Sequence, residues 1–252
     1  MEHITAFLTS VINVLFFKGT SIPLPSFMHS AAEFVTDVLT SDYFPLHIPY
    51  VDLYDHNLAL AIIATALPPL VWNIIGPLEY YTKIPSRLSI RPIIGVYLSG
   101  AIIAALSVLR SALFIVAIRG QEKLSYFDTS MFHATGGFLA VWGVSMFLGA
   151  YYRLGIRGTY LGDYFGFLMD HKISAFPFSI CNNPMYDGSS LMHLAEAIME
   201  RSPTGILLSL WLFFCYRFGC VLEEPFTSKL YAERDAQREA ERLQKLAETK
   251  TS

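Results

Sequence analysis

Three long apolar runs organise the chain. Ile93 to Ile118 has 26 residues with Arg110 as its only charge, Met131 to Tyr152 has no charge, and Gly205 to Leu222 has 18 residues with only Arg217. At about 1.5 Å per helical residue even the shortest reaches roughly 27 Å, close to the hydrocarbon thickness of a bilayer. A fourth run, Leu58 to Leu78, is long enough to cross but carries Pro68-Pro69 at its centre and Gly76-Pro77 at its end. Prolines remove backbone donors and crowd the preceding turn, so this segment is predicted to be kinked or re-entrant. Within residues 1–50, Ala6 to Phe17 and Ala31 to Leu39 are too short to span and suit an N-terminal extension of interfacial helices. Ser189 to Met199 places Leu191, Leu194, Ala195, Ile198 and Met199 on one side and Glu196 and Glu200 on the other, the pattern of a helix that packs or lies near the membrane surface.

These patterns predict an all-α integral membrane protein with three firm transmembrane helices, one Pro-kinked or re-entrant helix, an irregular loop over 153–190 and a polar C-terminal helix. The membrane domain is expected over 51–231. Residues 232–252 hold strong helix formers with Glu241 and Lys245 one turn apart, and read as a charged, solvent-exposed tail.

The last apolar run ends in adjacent carboxylates, Glu223 and Glu224, followed by Pro225, which is predicted to stop the helix. Acidic residues at a helix C-terminus oppose the macrodipole. The pair therefore marks either the water boundary or a cation site. Arg217 lies two turns before Glu224 on the same face and is expected to pair with a neighbouring helix or with Glu224 itself. Arg110 either finds a buried partner, holds a lipid phosphate or snorkels to the interface. Gly136, Gly137, Ala140 and Gly143 share one face of their helix, which admits either a second helix or a flat ligand.

Composition narrows the class. With 53% hydrophobic and 15% charged residues the chain is too apolar for an ordinary soluble domain. A net charge of −3 offers no basic face to a run of phosphates, which excludes nucleic acid as the main partner. Cys181, Cys215 and Cys220 form no CxxC pair, so neither a disulfide framework nor a zinc site is suggested, and no metal is expected. The N-terminus lacks the basic region and small-x-small site of a removable signal peptide.

Four blocks, GTYLGDYFGF (158–167), FPFSICNNPMYDGSS (176–190), SPTG (202–205) and LEEPFTSKLY (222–231), occur in an order and spacing that resemble the small integral-membrane phospholipid N-methyltransferases. More closely, the chain is similar, from Val51 to Leu230, to the eukaryotic enzymes that methylate phosphatidylethanolamine or phosphatidyl-N-methylethanolamine to phosphatidylcholine. The resemblance implies S-adenosylmethionine as cosubstrate, a phospholipid substrate, and a multi-pass location in the endoplasmic reticulum membrane, with the mitochondrial membrane as a second site. The family assigns S-adenosylmethionine to a Gly-x-Gly and a Glu-Glu pair. Glu223-Glu224 match fully, whereas the glycine motif falls on Val141-Trp142-Gly143, with its first glycine replaced.

Transfer of a methyl group from a sulfonium to an amine is a displacement governed by positioning. Asp163, Tyr186 and His193 are the candidates to take the amine proton. Arg110, Arg153, Asn183 and Tyr186 are candidates for the lipid headgroup. Tyr160, Tyr164, Phe165 and Tyr186 suit cation–π contact with a methylated ammonium, worth about 0.5–2 kcal/mol. Two other readings stand beside this one: an isoprenylcysteine-type carboxyl methyltransferase and a non-catalytic lipid-binding membrane protein. If the Pro-Pro helix does not cross, the start of the 131–152 span shares a side with Glu223 and the tail. On that topology eight Lys and Arg face seven across the membrane, too even for a positive-inside assignment.

Overall fold

The computed structural model describes residues 24–40, 48–89, 91–170 and 173–251, of which 247–251 for backbone alone. The expected helix Ala6 to Phe17 lies outside the described residues. Among the described residues seven α-helices follow one another: α1 (Ser26–Leu39), α2 (His56–Thr82), α3 (Ile84–Leu88), α4 (Pro92–Gly120), α5 (Ser130–Thr159), α6 (Pro184–Met199) and α7 (Pro203–Thr251). Four of them, α2, α4, α5 and α7, are long and apolar enough to cross a membrane.

Of the two shapes expected for the Pro-Pro segment, a re-entrant loop is not what forms. Helix α2 continues for 27 residues with Pro68, Pro69 and Pro77 inside it. Neighbouring side chains bond the carbonyls around the prolines: Trp211 Nε1 donates to the Ile62 carbonyl at 3.0 Å, and Asn73 Nδ2 donates to those of Pro69 at 3.0 Å and Gly219 at 3.3 Å. The donors that Pro68 and Pro69 lack would have met the Ala64 and Thr65 carbonyls, so these bonds brace the segment without replacing the missing ones. At its start Asp55 caps the helix by accepting from the Asn57 amide. At its end the buried Glu79 carboxylate accepts from both the amide and the hydroxyl of Ser86, tying α2 to the short α3.

Contacts at the two ends fix the topology. At one end Gln121, just after α4, bonds the backbone of Asp52 and the Asp55 carboxylate, the Leu124 amide donates to the Arg201 carbonyl, and Glu200 pairs with Arg119 and Lys123. This end gathers the start of α2, the end of α4, the start of α5, the end of α6 and the start of α7. At the other end the segment after α5 meets the tail, where Arg234 donates to the Met169 carbonyl and Arg238 pairs with Asp170 at 2.7 Å. Consequently α6 does not lie at a surface but runs back through the bundle, and its 16 residues cover roughly 24 Å. The end of α5, not its start, shares a side with Glu223, because α2 crosses and α6 supplies a further pass.

Helix α7 continues through Pro225 for 49 residues, so Glu223 and Glu224 lie within a helix rather than at its C-terminus. The macrodipole conflict expected there does not arise. The carbonyl that Pro225 leaves unbonded belongs to Val221, which is exposed, and solvent at the water boundary can satisfy it. Beyond Tyr231 the side chains are mostly exposed, as a solvated tail requires.

The core has two halves. Near the Gln121 end it is aliphatic, with Leu58, Leu113, Ile118 and Leu208 packed together and Met28 and Ala32 of α1 joined to them. Towards the Glu223 end it turns aromatic, built on Trp72, Tyr164, Phe165 and Tyr216. Between the halves sits Arg110, only 4% exposed, which donates to the Tyr216 hydroxyl and to Ser189 Oγ at 3.4 Å. A buried guanidinium in a membrane bundle is tolerated only with such partners.

Candidate active site

Three segments far apart in sequence meet at the Glu223 end: the turn after α5, the start of α6 and the middle of α7. The turn is built by glycine. Gly162 donates to the Arg157 carbonyl at 2.9 Å, and a Cβ at that position would collide with the same carbonyl. Gly166 has φ of 89°, a left-handed conformation that L side chains rarely adopt. Between them this turn holds Asp163, whose Oδ1 accepts from the Tyr164 amide at 3.1 Å.

The Asp163 carboxyl lies close enough to Glu223 for their charges to repel, and Glu224 adds to the same field. The Tyr186 ring, at the start of α6, lies within electrostatic reach of both Glu223 and Asp163. Burial pushes the Asp163 carboxyl above its ordinary range, against the pull of its backbone hydrogen bonds. Burial also pushes the Tyr164 hydroxyl upward, with Glu223 adding to the shift, so Tyr164 stays protonated at neutral pH.

The aromatic residues divide into two roles. Rings of Tyr164 and Phe165 rest on α2 and α4 at Gly76 and Gly95, where a Cβ would strike them, and Tyr164 stacks on Phe226 with centroids 4.8 Å apart. They form a packed wall under the acidic groups. Tyr186 packs against Trp72, at 5.1 Å, and Tyr216, at 4.8 Å, and those two rings lie 6.0 Å apart, so the three form a near-parallel triangle. That stack fixes the ring plane on which an ammonium would approach.

Beside this cluster a cavity of about 470 Å³ opens between the end of α5, the loop before α6 and α7, lined by Leu154, Asn182, Tyr231 and Arg234 among others. Its volume falls in the range of small-molecule sites. Asp235 is the carboxylate among its lining residues, whereas Asp163 and Glu223 lie outside the lining; a carboxylate suits an ammonium or a ribose hydroxyl, since charge-assisted hydrogen bonds are the stronger ones. Glu223 is half-buried and faces the cluster, while Glu224 is exposed.

Other expected site residues lie elsewhere. Val141 is exposed and Trp142, half-exposed, stacks on Phe138, so both face out of the bundle. Gly143 is buried against α6: a Cβ on it would lie 2.7 Å from the Gly188 carbonyl, and one on Gly188 would lie 2.6 Å from the Gly143 carbonyl. At Gly143 the small-residue face therefore admits a helix. His193 lies two turns along α6 from Tyr186, roughly 10 Å away, where it donates to the Ser189 carbonyl at 2.8 Å and meets Ser111 Oγ at 3.3 Å. Arg110, buried among Tyr216 and Ser189, does not reach a lipid headgroup layer or snorkel. Arg153 is exposed near the end of α5, and Asn183 occupies the N-cap position of α6.

Arg217 pairs with Asp187 of α6 at 2.8 Å, not with Glu224. Sequence reading missed Asp187 as well as Gly188 and Trp72. The first was findable, because an intramembrane arginine demands a carboxylate, and Asp187 stands just inside a helix start, where an acid is favoured.

Asp163 gives a direct test of this geometry. A carboxyl raised by burial contributes fully below the ordinary Asp value, near 3.9, and costs stability as pH rises through its higher folded value. Asp163→Asn is expected to melt at a higher temperature than wild type at pH 7 and to lose that advantage at pH 3. Equal melting at both pH values would contradict a buried Asp163.

Residues 131–234 match the family described as Phospholipid methyltransferase. Phosphatidylethanolamine N-methyltransferase of Rattus norvegicus is 38% identical over 196 residues, covering 78% of this chain and 96% of that protein. The chain belongs to the phospholipid methyltransferase family. Phosphatidyl-N-methylethanolamine N-methyltransferase of Saccharomyces cerevisiae is 38% identical over 185 residues, covering 73% and 90%. Phosphatidylethanolamine N-methyltransferase A of Dictyostelium discoideum is 37% identical over 191 residues, covering 76% and 90%. No solved structure matches the chain. The phospholipid methyltransferase match runs from α5 to Arg234, and so contains Asp163, Tyr186 and Glu223 together.

Proposed function

We propose that this protein transfers methyl groups from S-adenosylmethionine to the amine of phosphatidyl-N-methylethanolamine and its dimethyl form, and to phosphatidylethanolamine, giving phosphatidylcholine. The observation that carries this reading is the meeting of Asp163, Tyr186 and Glu223 at one end of a membrane bundle whose chain is a phospholipid methyltransferase. S-adenosylmethionine supplies an electrophilic methyl group. Glu223, with Glu224 behind it, holds the cosubstrate's polar groups. Tyr186, held beside Trp72 and Tyr216, orients the substrate ammonium. Asp163, whose proton affinity burial raises above the ordinary carboxylate range, takes the amine proton. Exposed Arg153 at the end of α5 and Asn183 at the start of α6 are placed to meet the lipid phosphate, which Arg bonds in a bidentate fashion.

A headgroup tethered in the bilayer is presented to this site at high effective concentration, whereas a free amine is not. Orientation follows from the topology. Lys83, Arg87, Arg91, Arg153, Arg157 and the tail's Lys229, Arg234 and Arg238 gather at the Glu223 end, against Arg119, Lys123 and Arg201 at the other. Such an imbalance supports a cytosolic site end, which suits an endoplasmic reticulum membrane, with the mitochondrial membrane as the second location.

Reconstituted protein given labelled S-adenosylmethionine and phosphatidyl-N-methylethanolamine is expected to yield labelled phosphatidylcholine, and in sealed microsomes a tag on the tail is expected to be open to protease from outside. Labelling of phosphoethanolamine at a comparable rate would overturn the lipid-substrate reading. Methylation of a prenylated cysteine carboxylate instead would move the enzyme to the isoprenylcysteine type.

A further inference from the structure

A second cavity, of about 470 Å³, lies outside the acidic cluster, on the membrane-facing side where α2 crosses α7. Small residues hollow it: Pro69 and Ala66 on α2 and Gly219 on α7, the last so close to Trp72 that a Cβ would lie 2.8 Å from its ring. Leu70, Phe214 and Phe218, all strongly exposed, form its open walls. The polar group on its floor is already committed, since the Asn73 amide donates to the Pro69 and Gly219 carbonyls. What remains is an apolar trough open to the bilayer.

Two measures define its occupant. Along α7 the trough runs from Trp211 to Leu222, roughly 16 Å at 1.5 Å per residue, and one leaflet of a 30 Å hydrocarbon core is about 15 Å deep. Its upper end lies at the same depth as the site, because Leu222 borders the trough and Glu223, the next residue along α7, faces Asp163 and Tyr186. A water-soluble ligand gains nothing from such a surface. A molecule with its headgroup at Glu223 must leave its hydrocarbon in this layer and on this side.

We infer that the trough between α2 and α7 is the acyl-chain subsite of the enzyme, holding one fatty chain of a phospholipid from the leaflet that faces the Glu223 end. The inference rests on the lipid-substrate reading above and adds the place where the substrate's chain lies. Binding there converts recognition of the amine into an event within one oriented molecule. It also gives Pro69 a use, since a proline ring in place of a longer side chain keeps the α2 wall open.

The test uses the full chain in phosphatidylcholine vesicles and a phosphatidyl-N-methylethanolamine carrying a photoactivated diazirine in one acyl chain. Adducts mapped by mass spectrometry are expected to concentrate on Leu70, Phe214 and Phe218 over Phe138 and Leu148, which are similarly exposed on α5. Ala66→Phe fills the trough from its floor. It should diminish those adducts and lower kcat/KM for the dioleoyl substrate roughly tenfold, the scale on which apolar pockets discriminate, while leaving the dihexanoyl substrate unchanged. If Ala66→Phe does not accumulate, Phe218→Ala at the open wall should show the same loss of adducts. Adducts spread evenly over all bilayer-facing helices, or equal losses for long and short substrates, would overturn the subsite. Concentrated adducts in a protein that methylates no phospholipid would overturn the functional reading and leave the chain-binding site standing.

Discussion

Gly188→Leu is expected to prevent accumulation of folded protein, and Gly143→Leu to do the same, although neither residue touches the acidic cluster. The two glycines face each other where α5 meets α6, and a Cβ on either would lie 2.6 or 2.7 Å from the other's carbonyl oxygen. A backbone atom cannot turn aside as a flexible side chain does, so the helices themselves must separate. Overpacking in a well-filled interior costs about 1–3 kcal/mol, and here the upper part of that range applies because the strain is shared by an entire helix pair. Even the alanine variants are expected to lower the melting temperature in detergent. Met192 also closes on Gly143, with its side chain 3.0 Å from a Cβ built there, so no flat ligand has room between the helices at this level. The discriminating readout is cosubstrate affinity in whatever Gly143→Ala protein folds. Unchanged affinity with lowered stability is the result expected of a packing glycine. Normal stability with lost S-adenosylmethionine binding would restore Gly143 to the cosubstrate.

Hydrophobic run length carried most of the fold. The 93–118, 131–152 and 205–222 runs became α4, α5 and α7 because an uncharged stretch of that length has few places to be other than across a bilayer. Two elements were illegible for physical reasons. Pro68-Pro69 breaks an isolated helix, yet Trp211 of α7 bonds the Ile62 carbonyl from a position that no local pattern reveals. Helix α6 is short, and Glu196 and Glu200 opposite its apolar side left both packing and a surface position open. Inside the bundle Arg217 pairs with Asp187, and Ser111 and the Ser189 carbonyl bond His193. Misplacing α6 also reversed the side assigned to α5, which is why the basic residues looked evenly divided.

The site was legible in part and for a different reason. Asp163, Tyr186 and Glu223 stood in separate blocks whose likeness to the phospholipid methyltransferases brought them to notice, and the fold brings their fields together. The role of Glu223 could not come from the dipole of a helix end, since α7 runs on past it. It comes from the neighbours that the Gly162 turn and α6 deliver.

Glu223→Gln is expected to weaken S-adenosylmethionine binding strongly, and Glu224→Gln much less. The two are adjacent in sequence but about 100° apart around α7, so only one can face the cluster. Glu223 is half-buried beside Asp163, Tyr164 and Tyr186, whereas Glu224 is exposed. A hydrogen bond to a charged group is worth about 1.5–3 kcal/mol, which corresponds to a loss of roughly tenfold to more than a hundredfold in Kd. At exposed Glu224 solvent screens the charge, and a change of only a few-fold is expected, with ionic strength reducing it further. Removing the Glu223 charge also relieves its repulsion with Asp163, so the variant is expected to fold at least as stably as wild type, which separates loss of ligand from loss of structure. Titration calorimetry on detergent-solubilised protein, paired with melting curves, reads both quantities. Equal affinity in wild type and Glu223→Gln, or a larger loss in Glu224→Gln, would show that the cosubstrate is held by some other face of the helix.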